Sequence, residues 1–296
     1  GAHYIKDYIG KDIDSLTIFR NRKPINKKTE IDLPSESAGR LPDRAWKQSW
    51  YDANKDFYCN YKQRAQKKDL TPYLIEIARE NCIDGNKLRA GDAVNFSIGQ
   101  GDTLVTPLRL AEIYAAIANN GTYYKPQVAR AVVDVDGKVV KEFKPVLAET
   151  VKAEQSTWDF LHRALRSVVT GGTATGSFSG FPVAVSGKTG TAQVFGKNPN
   201  GSAKDDTSWF ASYGPTENPQ YAVVMMVSQG GFGASTSGVG VRDIYATLFG
   251  VVGNKVDPTK AVFPNGVPTT IAKVDLKRAA SEVDLTGIKV GGVKLK

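Results

Sequence analysis

One stretch indicates the chemistry to which this chain belongs: Val183-Ala184-Val185-Ser186-Gly187-Lys188-Thr189-Gly190-Thr191-Ala192-Gln193-Val194-Phe195. The rest of the chain is interpreted as scaffold around it. At its centre, a Lys-Thr-Gly triplet is set in a predicted strand. A lysine ammonium beside two threonine hydroxyls presents positive charge and hydrogen-bond donors that suit a carboxylate. Gly190 removes a side chain where another backbone has to come close. The stretch therefore predicts a strand that binds an extended acidic peptide.

A Lys-Thr-Gly triplet alone also fits a solvated edge strand with a tight bend, because such triplets occur by chance. The surrounding sequence decides between these two interpretations. The triplet follows Val168-Val169-Thr170-Gly171-Gly172-Thr173-Ala174-Thr175-Gly176 and precedes Ser208-Trp209-Phe210-Ala211. Far upstream lies Gly99-Gln100-Gly101-Asp102-Thr103-Leu104-Val105-Thr106-Pro107. This ordered series of segments is much more specific than the triplet.

Together the segments closely resemble the transpeptidase domain of class B penicillin-binding proteins, especially the elongation-type penicillin-binding protein 2 family. Two earlier segments are similar to the same family, Ile31-Asp32-Leu33-Pro34-Ser35-Glu36 and Pro42-Asp43-Arg44-Ala45-Trp46-Lys47. The resemblance covers about residues 25 to 250. It implies an α/β fold of the serine transpeptidase and β-lactamase type, in which helices flank both faces of an antiparallel sheet. It also implies a D,D-transpeptidase that cross-links peptidoglycan stem peptides and is inhibited by β-lactams.

The resemblance assigns roles to residues of the triplet strand. Lys188 and Thr191 are the catalytic candidates, and Ser186, Thr189, Gly190 and Thr191 are the substrate-binding candidates. Lys188, Thr189 and Thr191 would hold the substrate carboxylate, and the backbone N–H of Thr191 would form half of an oxyanion hole. Strict alternation places the two threonines on one face and Lys188 on the other. All three line one cleft only if that cleft runs along the edge of the strand.

One departure from the family pattern concerns the nucleophile. The family has three motifs, Ser-x-x-Lys with the nucleophile, Ser-x-Asn and Lys-Thr-Gly. No serine in this sequence has a lysine three residues on or an asparagine two residues on, so only the third motif is present. The family places the other two before the region that matches Ile31 onward. We therefore expect the chain to be the C-terminal part of a transpeptidase domain, with the nucleophile upstream of Gly1.

Partners and location follow from the same resemblance. The upstream remainder of the protein is expected as a partner, either in the same polypeptide or as a second chain. Peptidoglycan stem peptides, β-lactams and a membrane glycosyltransferase of the elongation machinery are the others. The expected location is the extracytoplasmic face of the bacterial cell membrane, with the membrane anchor outside this sequence. No cofactor is expected.

Three other functions stay open at this stage. A serine β-lactamase or β-lactam sensor shares the triplet but lacks the long segments from Ile31 to Trp46 and from Gly99 to Gly121. A D,D-carboxypeptidase is disfavoured for the same reason. The third alternative is a non-catalytic fragment that binds cell wall or a partner, and the missing nucleophile motif keeps it open.

The formal net charge of +9 raises the question of nucleic-acid binding. The basic residues are dispersed, with mild concentrations at 20–28 and in the last 24 residues, and no nucleic-acid motif accompanies them. We therefore expect no nucleic-acid partner, and a basic surface near an anionic cell wall or lipid. No apolar run reaches the roughly 18 residues that a membrane span needs.

The only two cysteines, Cys59 and Cys82, lie in a lysine-rich polar insert at about residues 46–90. An even cysteine count in an extracytoplasmic protein predicts a disulfide, and two free thiols are the alternative. The only histidines, His3 and His162, are distant in sequence from both cysteines, so we expect no metal site. Each histidine is expected to be a surface or packing residue.

Local patterns predict the order of helices and strands. Residues 1–90 are expected to hold short helices and loops, and Tyr73–Glu80 is the most helical piece. Helices are predicted at 106–119, where Thr106 is the N-cap and Pro107 the first helical residue, at 156–170 and at 239–249. Asp136-Gly137 predicts a hairpin between 128–135 and 139–143.

Two further strands are predicted at 208–214 and 221–228, and the short turn between them implies an antiparallel pair. The second is apolar on both faces, so we expect it in the centre of the sheet. Residues 1–250 are assigned to the domain, and 251–296 to an extended basic tail with at most a short helix near Val274–Ala280.

Overall fold

In a computed structural model of the chain, the described residues are 27–66, 70–194, 196–266, 289–290 and 293–294. The α-helices are α1 (Arg44–Cys59), α2 (Tyr61–Gln66), α3 (Pro72–Asp84), α4 (Ala90–Ser97), α5 (Pro107–Ala118), α6 (Gln155–Thr170), α7 (Thr175–Phe178) and α8 (Val239–Phe249). The strands are β1 (Thr122–Tyr124), β2 (Ala131–Val133), β3 (Val139–Glu142), β4 (Leu147–Thr150), β5 (Ser186–Ala192), β6 (Thr207–Gly214), β7 (Tyr221–Val227), β8 (Val251–Val252), β9 (Lys255–Val256), β10 (Lys289–Val290) and β11 (Val293–Lys294). A π-helix spans Ala234–Gly238, and a 3₁₀ turn spans Pro258–Lys260.

The largest sheet described is antiparallel and has the order β5-β6-β7. Its middle strand is β6, which is buried at Ser208 and from Phe210 to Gly214. The antiparallel pairing predicted for the last two strands is confirmed. Among the described residues β7 pairs only with β6, so the central position predicted for the Tyr221 strand depends on strands outside them and stays a prediction. Helices partly cover both faces of β7, with Val223 and Met225 in the cluster of α8 and Ala222 and Val224 in that of α5 and α6.

Helices cover both faces of this sheet. On one face Val185 and Phe210 pack with Val241 and Tyr245 of α8 in a single buried cluster. On the other face, Ala211 and Tyr213 pack with Tyr114 of α5 and Leu165 of α6. Burying an apolar side chain of this size stabilises the fold by about 1.5–3 kcal/mol. The predicted α/β fold, with helices on both faces of an antiparallel sheet, is confirmed.

Helix α5 begins and ends where the sequence predicts. The Thr106 hydroxyl accepts a hydrogen bond from the Arg109 N–H at 3.1 Å, and Pro107 occupies the first turn. The helix also buries an ion pair that the apolar pattern did not predict, between Arg109 and Glu112. These side chains meet because residues three apart are neighbours on a helix surface.

The insert is more helical than its composition suggested. It contains the 16-residue helix α1, whose N-cap Asp43 accepts from the Trp46 N–H at 2.7 Å. Sequence reasoning missed this helix, although an Asp N-cap was a visible signal. Lys47 of α1 is buried, and its Nζ lies 3.4 Å from the carboxylate of Asp102. The insert is thereby tied to the loop that precedes α5.

A disulfide joins Cys59 at the end of α1 to Cys82 in α3, with a Cα–Cα distance of 4.8 Å. We expect a thiol reagent to label these cysteines in the folded protein only after reduction. Replacing both by alanine should lower the free energy of unfolding of the insert by about 3 kcal/mol, because the open loop gains conformational entropy when unfolded. Urea melts of the two forms measure this difference. Labelling of the unreduced folded protein would contradict the bridge.

Hydrogen bonds to the Asp32 side chain tie the segment before α1 to the loop that precedes β2. The Asp32 carboxylate accepts from the backbone N–H groups of Val128 at 2.7 Å and Ala129 at 2.8 Å. These two bonds favour the ionised form, so they hold the pKa of Asp32 below its ordinary value of 3.8.

The hydrogen bonds from Val128 and Ala129 to the Asp32 carboxylate should therefore weaken in acid. A carboxyl group whose folded pKa is lowered stabilises the fold above its unfolded pKa, and this contribution is lost as the pH falls through the folded pKa. We expect the Val128 and Ala129 amides to lose protection from hydrogen exchange below about pH 4, after correction for intrinsic rates. Asp32→Asn is the control, and its protection should not show this pH dependence. Equal pH dependence in both proteins would remove Asp32 as the cause.

The other predicted elements fall close to their expected positions. β2 and β3 form the predicted hairpin, α6 begins one residue earlier than predicted, and α8 ends at Gly250 as predicted. Residues 251–266 do not continue as an extended tail, because β8 and β9 form a hairpin beside α8 and Val251 packs against its core. The helix predicted near Val274–Ala280, the basic residues 20–23 and His3 lie outside the described residues. Across the described ranges, no helix has both the length and the apolar character to span a membrane.

Candidate functional site

The candidate site is the free edge of β5, the side on which no other described strand pairs. The Thr191 carbonyl accepts from Gln100 Nε2 at 3.0 Å, and the Thr189 carbonyl accepts from Lys188 Nζ at 2.8 Å. Both carbonyls therefore point away from β6. Because the N–H and C=O of one strand residue point to the same side, the N–H groups of Thr189 and Thr191 also face this edge.

Lys188 and the two threonines start from opposite faces of the sheet. Lys188 pairs with Ala211, which faces α5, whereas Thr189 and Thr191 pair with Phe210 and Ser208, on the α8 face. The exposed Lys188 side chain bends over the edge, where its Nζ also lies 3.3 Å from the Thr189 hydroxyl oxygen. The ammonium group and the threonine hydroxyl thus meet at the edge, which is the arrangement that an edge cleft requires.

Neighbouring segments hold both threonine hydroxyls in place. The Thr191 hydroxyl accepts from the Gly233 N–H at 3.1 Å. A hydroxyl that accepts one bond keeps its own proton to donate to a bound anion. The Thr189 hydroxyl lies 2.9 Å from that of Thr173, which belongs to the Gly-Gly-Thr segment after α6. The edge therefore presents a cation, hydroxyl donors and backbone N–H groups in one place, which together fit a carboxylate.

Two glycines allow the close packing behind this edge. A Cβ on Gly190 would lie 3.1 Å from the Trp209 Cβ, and one on Gly233 would lie 2.3 Å from the Gly190 carbonyl oxygen and 2.8 Å from that of Trp209. The backbone at Gly233 thus crosses β5 directly at Gly190. The sequence predicted that the missing side chain of Gly190 makes room for another backbone, but a Cβ there meets the Trp209 side chain, and the close backbone approach depends on Gly233 instead.

Gly233→Ala is accordingly expected to move this crossing segment and break the bond from the Gly233 N–H to Thr191. We expect a loss of about 1–3 kcal/mol in the free energy of unfolding, the usual cost of forcing an extra carbon into a packed site. Gly171→Ala is the matched control, because a Cβ there meets nothing within 4 Å. Thermal melts of both variants measure the difference. Equal melting temperatures would show that the contact at Gly190 relaxes without cost.

Ser186 does not lie at the edge. It is fully buried, and its hydroxyl lies 2.9 Å from that of Thr216. The reason is the position of α6, where Arg166 donates to the Val185 carbonyl at 2.9 Å and covers this end of the strand. The assignment of Ser186 to substrate binding is therefore corrected, because in this geometry it packs the start of β5.

Sequence reasoning named no role for two residues that lie at the edge, Gln100 and Thr173. Both belong to segments that carried the family resemblance, so the sequence pointed to these segments but could not show which atoms their side chains contact.

His162 lies away from this edge, with its ring nitrogens bonded to Tyr213 Oη and to Asn120 Oδ1 at 2.8 Å. It borders a separate cavity of about 530 Å³ whose lining does not include Lys188. Within the described residues, no cluster of three or more His, Cys, Asp or Glu side chains is placed to hold a metal ion.

The chain belongs to the family described as the penicillin-binding protein transpeptidase domain, whose model matches residues 19–246. Within that family its similarity is to proteins of the penicillin-binding protein 2 and MrdA type. It is 27% identical over 237 residues to the peptidoglycan D,D-transpeptidase MrdA of Haemophilus influenzae, covering 76% of this chain and 31% of that protein. The predicted family is confirmed.

Solved structures give the same result. The Pseudomonas aeruginosa protein PBP2, in complex with WCK 5153, superimposes with a TM-score of 0.59 at 25% identity, covering 86% of this chain and 46% of that one. A structure described as a peptidoglycan synthase complex that coordinates polymerization and crosslinking superimposes with a TM-score of 0.59 at 25% identity, covering 85% of this chain and 36% of that one. The chain thus spans about a third (31%) of the length of the Haemophilus influenzae MrdA protein.

Proposed function

We propose that this chain is the C-terminal part of a D,D-transpeptidase that cross-links peptidoglycan stem peptides through a serine acyl-enzyme. The observation that carries the proposal is the free edge of β5, where Lys188 Nζ bends over the strand beside the Thr189 hydroxyl and the outward N–H of Thr191. A peptide that ends in a carboxylate can pair with such an edge as an added strand. Membership of the transpeptidase family supports the same activity.

In the proposed reaction the terminal carboxylate of the donor stem binds to Lys188, Thr189 and Thr191. A serine from the upstream segment loses its proton to a neighbouring lysine, and its Oγ attacks the carbonyl between the last two D-alanines. The Thr191 N–H stabilises the negative oxygen that forms. The C–N bond then breaks, D-alanine leaves with a proton, and an acceptor amine displaces the serine to form the cross-link.

The upstream segment is proposed to complete the sheet beside β7 and to supply the nucleophilic serine. The chain covers only 31% of the MrdA relative, and the nucleophile motif is absent from its sequence. The outer edge of β7 has no partner strand among the described residues, and Met226 there is 42% exposed. We assign this edge to strands of the upstream segment. A helix of that segment would bring the serine to the edge of β5.

The proposal includes location and partners. The enzyme acts on the extracytoplasmic face of the bacterial cell membrane, where its stem-peptide substrates are, and β-lactams acylate the same serine because they mimic the acyl-D-alanyl-D-alanine bond. A membrane glycosyltransferase of the elongation machinery is the proposed partner. Supporting this, one structural neighbour, at 25% identity, is described as a synthase complex that joins polymerization to crosslinking.

The test uses the protein with its upstream segment. Incubation with a penicillin should add the mass of the drug to one serine, and incubation with donor and acceptor stem peptides should yield cross-linked dimers. Release of D-alanine without dimers would instead indicate a carboxypeptidase, and steady release of hydrolysed penicillin a β-lactamase. No covalent adduct and no turnover would favour the non-catalytic alternative, a cell-wall or partner-binding protein.

A further inference from the structure

Gln100 makes a two-point contact with the free edge of β5. Its side-chain Nε2 donates to the Thr191 carbonyl at 3.0 Å, and its Oε1 accepts from the Gln193 N–H at 3.2 Å. The carboxamide thus offers one donor and one acceptor, as the N–H and C=O of a residue in a neighbouring strand would. This contact joins residues 91 positions apart in the sequence, and it ends at the residue proposed to supply the oxyanion donor.

The turn that carries Gln100 is held at both ends. Gly99 and Gly101 have φ values of 75° and 78°, in the left-handed region that favours glycine. The Gln100 N–H donates to the Asn95 carbonyl at 2.8 Å. On the other side the Asp102 carbonyl accepts from Arg40 Nε at 2.7 Å, and its carboxylate lies 3.4 Å from the buried Lys47 Nζ. A side chain on such a braced turn keeps a fixed position.

We propose that Gln100 is a positioning residue that fixes the direction of the Thr191 N–H during acylation. The proposal rests on the proposed function, because it assigns Gln100 to the same oxyanion site. The N–H and C=O of Thr191 point to the same side of β5 on the two peptide units that flank its Cα, so a bond that holds the carbonyl restrains the backbone torsions that set the direction of the N–H. Oxyanion stabilisation depends on a donor that is already oriented before the reaction. Gln100 supplies that orientation without touching the reacting atoms.

The test compares variants of the protein with its upstream segment present. Gln100→Met keeps the length of the side chain but removes both hydrogen bonds. Gln100→Glu keeps the acceptor for Gln193 but, as a carboxylate, cannot donate to Thr191. Gln127→Met is the matched control, because Gln127 also donates its side-chain N–H to a backbone carbonyl, that of Lys144, away from this edge.

Two readouts separate positioning from a general structural role. We expect both Gln100 variants to lower the acylation rate constant for penicillin by about 10- to 100-fold, with the noncovalent binding constant nearly unchanged. Their affinity for a peptidyl boronic acid, whose tetrahedral adduct places an oxygen in the oxyanion site, should fall by a similar factor. The melting temperature and the Gln127→Met control should stay close to the wild-type values.

Other outcomes overturn the inference. If Gln100→Met is poorly folded, Gln100→Glu decides, and wild-type acylation and boronate affinity in that variant would refute the role. A loss confined to the noncovalent binding constant would likewise refute it, because Gln100 would then contact the substrate rather than orient Thr191. A wild-type protein that penicillin does not acylate would instead refute the proposed function itself, which keeps the two failures distinct.

Discussion

Lys188→Ala, made in the protein with its upstream segment, is expected to slow acylation by penicillin by about 10²- to 10³-fold, because the carboxylate of the drug loses its charged partner in the site. Lys188 is exposed and bends over the free edge of β5 toward Thr189, so its charge is placed for a ligand rather than for packing. The free energy of unfolding should therefore change little, since exposed positions are usually within about 0.5 kcal/mol of the wild type.

Stopped-flow acylation with a fluorescent penicillin and a thermal melt measure the two quantities. Lys255→Ala is the control for the loss of one positive charge, because Lys255 is exposed in the β8–β9 hairpin. It should acylate at the wild-type rate. Unchanged acylation in Lys188→Ala would show that the triplet does not form the carboxylate site, whatever the family membership.

The 296-residue chain alone is expected to form no penicilloyl adduct, a complete loss relative to the protein with its upstream segment. A serine hydroxyl at its ordinary pKa is a poor nucleophile, and no serine of this sequence has the lysine three residues on that activates it in the family. The serine nearest to the triplet, Ser186, is fully buried and bonded to Thr216. It cannot replace the missing nucleophile.

The same chain should also be less stable without the upstream segment. Met226 at the outer edge of β7 is 42% exposed, and Phe232 is 59% exposed, so apolar surface remains uncovered. Intact-mass measurement after incubation with penicillin, and a thermal melt with and without the separately prepared upstream segment, test both expectations. A covalent adduct on the isolated chain, verified free of other polypeptides, would refute the placement of the nucleophile upstream.

Local sequence predicted most of the elements around the site. Helix α5 begins at the Thr106 cap because a threonine followed by proline satisfies the first turn with neighbours only. Helix α1 was missed because its composition is polar, and the contacts that fix it, such as Lys47 with Asp102, join residues 55 positions apart. The central position of β7 stays a prediction, because its apolar faces report the cover given by helices and say nothing of which strands pair with its edges.

The sequence by itself determined the family, the strand that carries Lys-Thr-Gly and the alternation that separates Lys188 from Thr189. These depend on the order of residues and on the period of a strand, which are local properties. Only the tertiary structure decided that the Lys188 side chain crosses the edge of β5, that α6 buries Ser186, and that Gln100 pairs with Thr191. The contacts of Ser186 and Gln100 join segments distant in the sequence, so they depend on how helices and loops pack against the sheet. The direction of the Lys188 side chain depends on which edge of β5 the sheet leaves unpaired.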